Sequence, residues 1–267
     1  MNTLKQTPLL GLLPADISPN ILLIFGEEGG TVIRILSNIG YRISEIARRR
    51  ESITIRATKK TVEFLIVMGG YGSSSITSAI HELVYLGARR FVMAGTCGGS
   101  SHHELGKVFL IKQATVNQVG GAGGLGFYRK IKPGEEFFPS PELLKTARAL
   151  NLEPATSPLI SSDAFYGFGG DLNADKQLIY KSPPTDDGLP PPGFVSFKKL
   201  YESGEPFLLD METAFFYGIC DCWDGIEGIA IRSVSNYIPF DPDDLVPEEE
   251  NALAASILKS VDLMEML

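Results

Sequence analysis

From residue 21 onward the chain alternates short, continuous apolar runs with amphipathic ones, and this restricts it to folds in which helices cover both faces of a sheet. The strand-like runs are ILLIFG (21–26), SITIRA (52–57), EFLIVMG (63–69), RRFVMAG (89–95), KVFLIKQATV (107–116), SPLISSDAF (157–165), PFLLDM (206–211) and IEGIAIRSVSN (226–236). Between and after them come helix-like segments at 31–39, 74–87, 141–151, 212–223 and 248–267. The expectation is a single α/β domain over residues 1–267, with a mixed, mostly parallel central sheet flanked by helices on both faces. In such sheets binding residues gather where strands end. The proline-rich stretch SPPTDDGLPPPG (182–193) cannot continue a helix or a central strand and reads as a surface loop.

The net charge of −8 argues against an extended phosphate-neutralising surface, and Arg48 to Arg50 form the one basic cluster, so no nucleic-acid partner is expected. Apolar runs fall far short of the roughly 20 residues that span a bilayer, so no membrane partner is expected either. MNTLKQTPLL has one lysine and no long apolar region, which argues against a secretory leader. Cys97, Cys220 and Cys222 suggest neither a disulfide framework nor zinc spacing, which fits a cytoplasmic protein. His81, His102 and His103 have no partners at metal spacing, and no metal is expected. GAGGLG (121–126) matches a dinucleotide fingerprint, but Pro133 and Gly134 follow in place of a helix, so it reads as a glycine loop over a pocket.

Three stretches could carry chemistry. FVMAGTCGGS (91–100) ends an apolar run in a hydroxyl walled in by glycines, which is either a tight turn or the floor of a pocket. GEEGG (26–30) joins a strand to a helix, where free amides bind anions, although Glu27 and Glu28 bring negative charge there unless they point away. LDMETA (209–214) places two carboxylates at a strand-to-helix junction, and an ionised Glu can accept from two sugar hydroxyls at once.

In this order, LLGLLPAD (9–16), Gly26, RRES (49–52), HELVYLGARR (81–90), FVMAGTCGG (91–99), FPSPEL (138–143), SSDAFY (161–166), DMETA (210–214) and VSN (234–236) resemble the nucleoside phosphorylase and nucleosidase family over nearly the whole chain. The resemblance implies a nucleoside-salvage enzyme that cleaves an N-glycosidic bond, with phosphate as co-substrate and no cofactor. It also implies a homo-oligomer, a dimer or a trimer of dimers. Gly26 and Thr96 would form the phosphate site, with Arg50 reaching in from a neighbouring subunit. Met211 and Glu212 would hold the ribose, Phe165 and Tyr166 would flank the base, and Asn236 would hydrogen-bond it as it leaves. Glu212 and Asn236 are thus the expected catalytic pair, and Thr96 and Glu212 should face one cavity.

The chain departs from the family pattern at several points. Gly29 to Thr31 and Met93 stand where phosphorylases place arginines, and Thr31 stands where nucleosidases place a Glu. Asn236 replaces the Asp of the purine branch, Leu9 a ribose-binding His, and FGGD (168–171) the uracil-binding residues. The change at 168–171 slightly favours a purine over uridine. Together the departures leave a nucleoside hydrolase, or a catalytically impaired nucleoside-binding member, as alternatives.

Overall fold

The computed structural model describes residues 6–117, 124–132, 134–162, 171–172, 178–179, 192–238 and 248–267. In chain order the elements are β1 (Asn20–Phe25), α1 (Gly29–Asn38), β2 (Arg42–Arg49), β3 (Ser52–Lys59), β4 (Val62–Gly69), α2 (Gly72–Leu86), β5 (Arg90–Gly99), β6 (Val108–Ile111), β7 (Ala114–Val116), β8 (Glu136–Phe137), α3 (Pro141–Arg148), β9 (Glu153–Pro154), β10 (Leu159–Ser161), β11 (Asp171–Leu172), β12 (Leu178–Ile179), α4 (Pro192–Ser203), β13 (Leu208–Asp210), α5 (Thr213–Cys220), β14 (Glu227–Tyr237) and α6 (Glu248–Met264).

One mixed sheet runs β2-β3-β4-β1-β5-β13-β10-β7-β8, and β14 branches from β5 to carry β6 and β9. Parallel pairing holds its middle, where β1 lies between β4 and β5, and β14 follows β5 along its length. The β2-β3-β4 edge is antiparallel.

Strand β1 shows why the apolar runs had to be covered twice. Ile21, Leu23 and Phe25 enter one core with Ile76, Ile80 and Leu83 of α2 and Phe215, Phe216 and Ile219 of α5. Leu22 and Ile24 enter the other, with Val32 and Leu36 of α1, Leu143 of α3 and Leu253 and Ile257 of α6. The period of two in the strand meets three- and four-residue spacings in the helices.

Several sequence boundaries move. Gly95 to Gly99 form no turn, because β14 pairs with β5 as far as Tyr237 opposite Gly99, and β13 lies antiparallel against Gly98 and Gly99. A Cβ at Gly98 would lie 2.4 Å from Ile238, so that glycine serves close packing within a strand. Run 107–116 splits into β6, which pairs with β14, and β7, which pairs with β10. The proline-rich loop ends sooner than 193, since Pro192 opens α4 and proline suits a first helical turn. Residues 180–191 lie outside the described residues. Strand β2 escaped the sequence reading because an edge strand buries little of itself and its pattern is largely charged.

Tyr217 ties α5 to the sheet. Its buried hydroxyl donates to the Ile111 carbonyl at 2.6 Å and accepts from the Ala230 amide at 3.0 Å, bridging the first residue pair of β6 and β14. Tyr217→Phe removes both of these buried hydrogen bonds. It should cost about 1–3 kcal/mol in urea unfolding, with the slope m unchanged.

Candidate functional site

β1 and β5 stay in register through Ile24 opposite Ala94. Beyond that pair β1 leaves the sheet at Gly26, where φ is 77°, while β5 continues to Gly99. A cavity of about 120 Å³ opens in this fork, and Glu27, Thr96, Met211, Glu212, Arg232 and Asn236 are among its walls. It adjoins a wider vestibule of about 390 Å³ that shares Gly26, Glu27, Tyr71 and Glu249 with it and adds Glu28, Thr31 and Glu250.

At the fork β5 loses its β1 partner, and its next two amides take side-chain acceptors. The Gly95 N–H donates to Ser256 Oγ of α6 at 3.0 Å. The Thr96 N–H donates to Glu27 Oε1 at 2.7 Å, and the Thr96 hydroxyl donates to the same oxygen at 2.9 Å. Burial raises the pKa of Glu27; the Thr96 bonds and Arg232 pull it down, and Glu249 adds to the rise. Glu28 points the other way and caps α1, accepting from the Gly30 amide at 3.0 Å and the Thr31 amide at 2.6 Å. The helix N-terminus that the sequence offered to an anion therefore already holds a carboxylate.

The LDMETA junction works by division of labour. Asp210 accepts from the Thr213 amide at the start of α5, and Ser161 Oγ accepts from the Ala214 amide at 2.8 Å. Glu212 stands at the N-cap position but makes no cap bond, so its side chain is released to the cavity. There its Oε1 accepts from the Gly72 amide at 2.9 Å.

Arg232 of β14, 1% exposed, lies 2.9 Å from Asp210 and 3.4 Å from Glu212, and donates through Nε to Thr213 Oγ1 at 3.1 Å. A Cβ at residue 95 would meet its Nη1 at 2.2 Å, so the guanidinium needs Gly95. One cation is shared unequally by two carboxylates, and Asp210 holds it more closely. Burial pushes the Glu212 pKa up to about 8, with Arg232 opposing the shift and Asp210 adding to it.

The structure brings Gly26, Thr96, Met211, Glu212 and Asn236 to one cavity. A register shift between Val234 and Asn236 sets Asn236 opposite Gly98, where its amide accepts from Ser235 and donates to the Tyr237 carbonyl. Arg50 does not line the cavity of its own chain. It lies exposed between β2 and β3 with φ 52°. Phe165 and Tyr166 lie outside the described residues. Of the glycine stretch 121–126, the described Gly124 packs against Thr77 of α2 and Leu125 enters the core, so this part does not roof the cavity. Sequence reasoning gave no role to Glu27 at Thr96 or to Arg232 as the partner of two acids. An Arg in an apolar strand run was the available signal for the second.

Among the described residues no group of three or more His, Cys, Asp and Glu could hold a metal, and no helix is long and apolar enough to cross a membrane.

A forked mixed sheet with a strand-end cavity of this kind belongs to the α/β folds that bind ligands at strand termini. The phosphorylase superfamily matches residues 21–261, and the chain belongs to that family. Its fold is similar to the purine nucleoside phosphorylase of Toxoplasma gondii in complex with immucillin-H, with a TM-score of 0.70, 21% identity and coverage of 100% of both chains. It is also similar to uridine phosphorylase from Vibrio fischeri ES114, with a TM-score of 0.71, 19% identity, and coverage of 100% of this chain and 99% of that one. A Plasmodium knowlesi homologue of the P. falciparum enzyme gives a TM-score of 0.65 at 19% identity, covering 98% of this chain and 96% of that one. No curated protein matches the sequence.

Removing the shared cation strands two buried acids. Arg232→Met should cost about 3–5 kcal/mol of stability, and Asp210→Asn added to it should recover part of that loss in a double-mutant cycle. A second expectation concerns pH. Folding raises the pKa of Glu212 from 4.5 to about 8, so the stability that this proton contributes is complete below pH 4.5 and is lost as pH rises through 8. Glu212→Gln should therefore gain on the wild type as pH rises across that window, measured by urea unfolding at each pH.

Proposed function

We propose that the chain cleaves the N-glycosidic bond of a ribonucleoside, with a purine base favoured, in a cavity that takes the sugar between Thr96 and Glu212. The observation that carries this reading is that Thr96 and Glu212 line the same cavity, with Met211 and Asn236 beside them. Bond cleavage puts positive charge on the sugar. An ionised carboxylate interacts more strongly with a cation forming beside it than with the neutral substrate, so Glu212 favours the transition state over the bound substrate. Asn236 can donate to one atom of the base and accept from another, which suits a purine, but an amide gives up no proton at neutral pH.

The reading includes a homo-oligomer, a dimer or a trimer of dimers. Arg48 to Arg50 crowd the β2–β3 tip, away from their own cavity, while Glu27, Glu28, Glu249 and Glu250 line the vestibule. These charges suit insertion of Arg50 from a neighbouring subunit. A phosphate bound beside Thr96 would draw on that Arg50, because Arg232, the one cation lining the cavity or vestibule among the described residues, is engaged by Asp210.

Incubation of the purified chain with inosine, guanosine, adenosine and uridine tests the reading by base release. Purine release should exceed uracil release. Glu212→Gln should lower kcat/KM roughly 10- to 100-fold, the loss expected for hydrogen bonds to a charged group. Absence of base from every nucleoside, with or without phosphate, would end the proposal, and a monomer in analytical ultracentrifugation would remove Arg50 from it.

A further inference from the structure

We propose that the preferred substrate is a ribonucleoside whose base carries a fixed positive charge, as an N7-alkylated purine does; this rests on the reading of the cavity as a nucleoside-cleaving site and names the substrate class it takes. Glu27, Asp210, Glu212 and Glu249 line the cavity against one cation, Arg232. That cation is already engaged, 2.9 Å from Asp210 and 3.4 Å from Glu212, with Nε donating to Thr213 Oγ1. In the vestibule Glu28 is held by the Gly30 and Thr31 amides, and Glu250 by Arg34 at 2.8 Å. Glu27 and Glu249 form no ion pair among the described residues. The cavity is about 120 Å³, so the surplus negative charge of its wall acts at short range on whatever fills it.

The second support is what stands beside the leaving base. A neutral base departs with the electron pair of the carbon–nitrogen bond, and a proton delivered to it speeds that departure. Asn236, which the reading sets there, has no proton to give at neutral pH. Its carbonyl also accepts from Ser235 Oγ at 2.9 Å, and its amino group donates to the Tyr237 carbonyl at 3.2 Å. A base that is cationic beforehand needs no acid, because it leaves neutral. The acids on the wall and the amide of Asn236 are separate observations, and one substrate chemistry satisfies both.

In the reaction the carbon–nitrogen bond breaks and its electron pair neutralises the ring of the base, so positive charge passes from the base to the anomeric carbon. Glu212 meets it there. An oxygen of phosphate bonds to that carbon. The balance is cationic nucleoside plus hydrogen phosphate giving neutral base plus pentose 1-phosphate, which keeps the phosphate proton. Before the bond breaks, the bound cation offsets the surplus of acid, which otherwise opposes the entry of an anion. Burial raises the pKa of both Glu27 and Glu212, and a cation beside them favours their ionised forms.

The test compares 7-methylguanosine with guanosine on the intact chain, with phosphate present, at a pH where the methylated base is cationic. The wild type should give 7-methylguanosine a kcat/KM higher by roughly 10²-fold or more, the range of the acid help it no longer needs. Methylation also weakens the bond in free solution, so the decisive readings are those in which the substrates stay the same and the protein changes. Glu249→Gln should raise KM roughly 2- to 5-fold more for 7-methylguanosine than for guanosine, and high salt should shrink that difference. Asn236→Asp should raise kcat/KM for guanosine roughly 10-fold or more and leave 7-methylguanosine without that gain. A ratio between the two substrates that neither variant moves, or guanosine cleaved as well as 7-methylguanosine by the wild type, would overturn the inference while leaving nucleoside cleavage intact. Absence of base release from both substrates would remove the functional reading and the inference together.

Discussion

Burying a guanidinium costs several kcal/mol unless its donors are met, and the fold meets Nε and Nη2 of Arg232 mainly from one short junction, with Met93 Sδ of β5 beside it. Asp210, Glu212 and Thr213 all come from the turn between β13 and α5, while Gly95 of β5 leaves the space in which the head group lies. Arg232 itself sits on β14, the longest partner of β5. The interaction therefore pins β14, β5 and the start of α5 together at the place where β1 leaves the sheet. Without it, Asp210 would have less reason to stay at the cap of α5, and Glu212 no fixed direction.

The electrostatic consequence is a cavity with more acid than base. Burial makes Glu212 retain a proton more readily than an ordinary carboxylate, with Arg232 opposing and Asp210 adding to the shift, and Glu27 does the same under burial at the Thr96 end. A site of that character waits for positive charge. In the proposed reading, a developing sugar cation would supply it. Shared fold with purine nucleoside and uridine phosphorylases leaves this local balance of charge open, because fold similarity at about a fifth identity fixes strand order and not the residues at strand ends.

The layered architecture was legible from the alternation of segments, since every long apolar run had to be buried on both faces by the helices between them, among which α5 is itself buried all round. Edges and ends were less legible. β2 hides as an edge strand with charged residues, and Pro192 belongs to a helix though its neighbours in sequence read as a loop. Gly95 to Gly99 looked like the end of a strand because glycine usually breaks one. What keeps them extended is β14 on one side and β13 on the other, partners more than a hundred residues away in sequence.

The sequence by itself determined the fold class, the family motifs and the residues gathered at strand ends, because hydrophobic period and short spacings are local properties of the chain. Only the tertiary structure decided what those residues touch. Glu27 turns to Thr96 and Glu28 to the helix, though the two are adjacent and chemically identical. Nothing in their order distinguishes them. The choice comes from the fork between β1 and β5, which leaves an unpaired amide and hydroxyl on one side of the loop and free helix amides on the other.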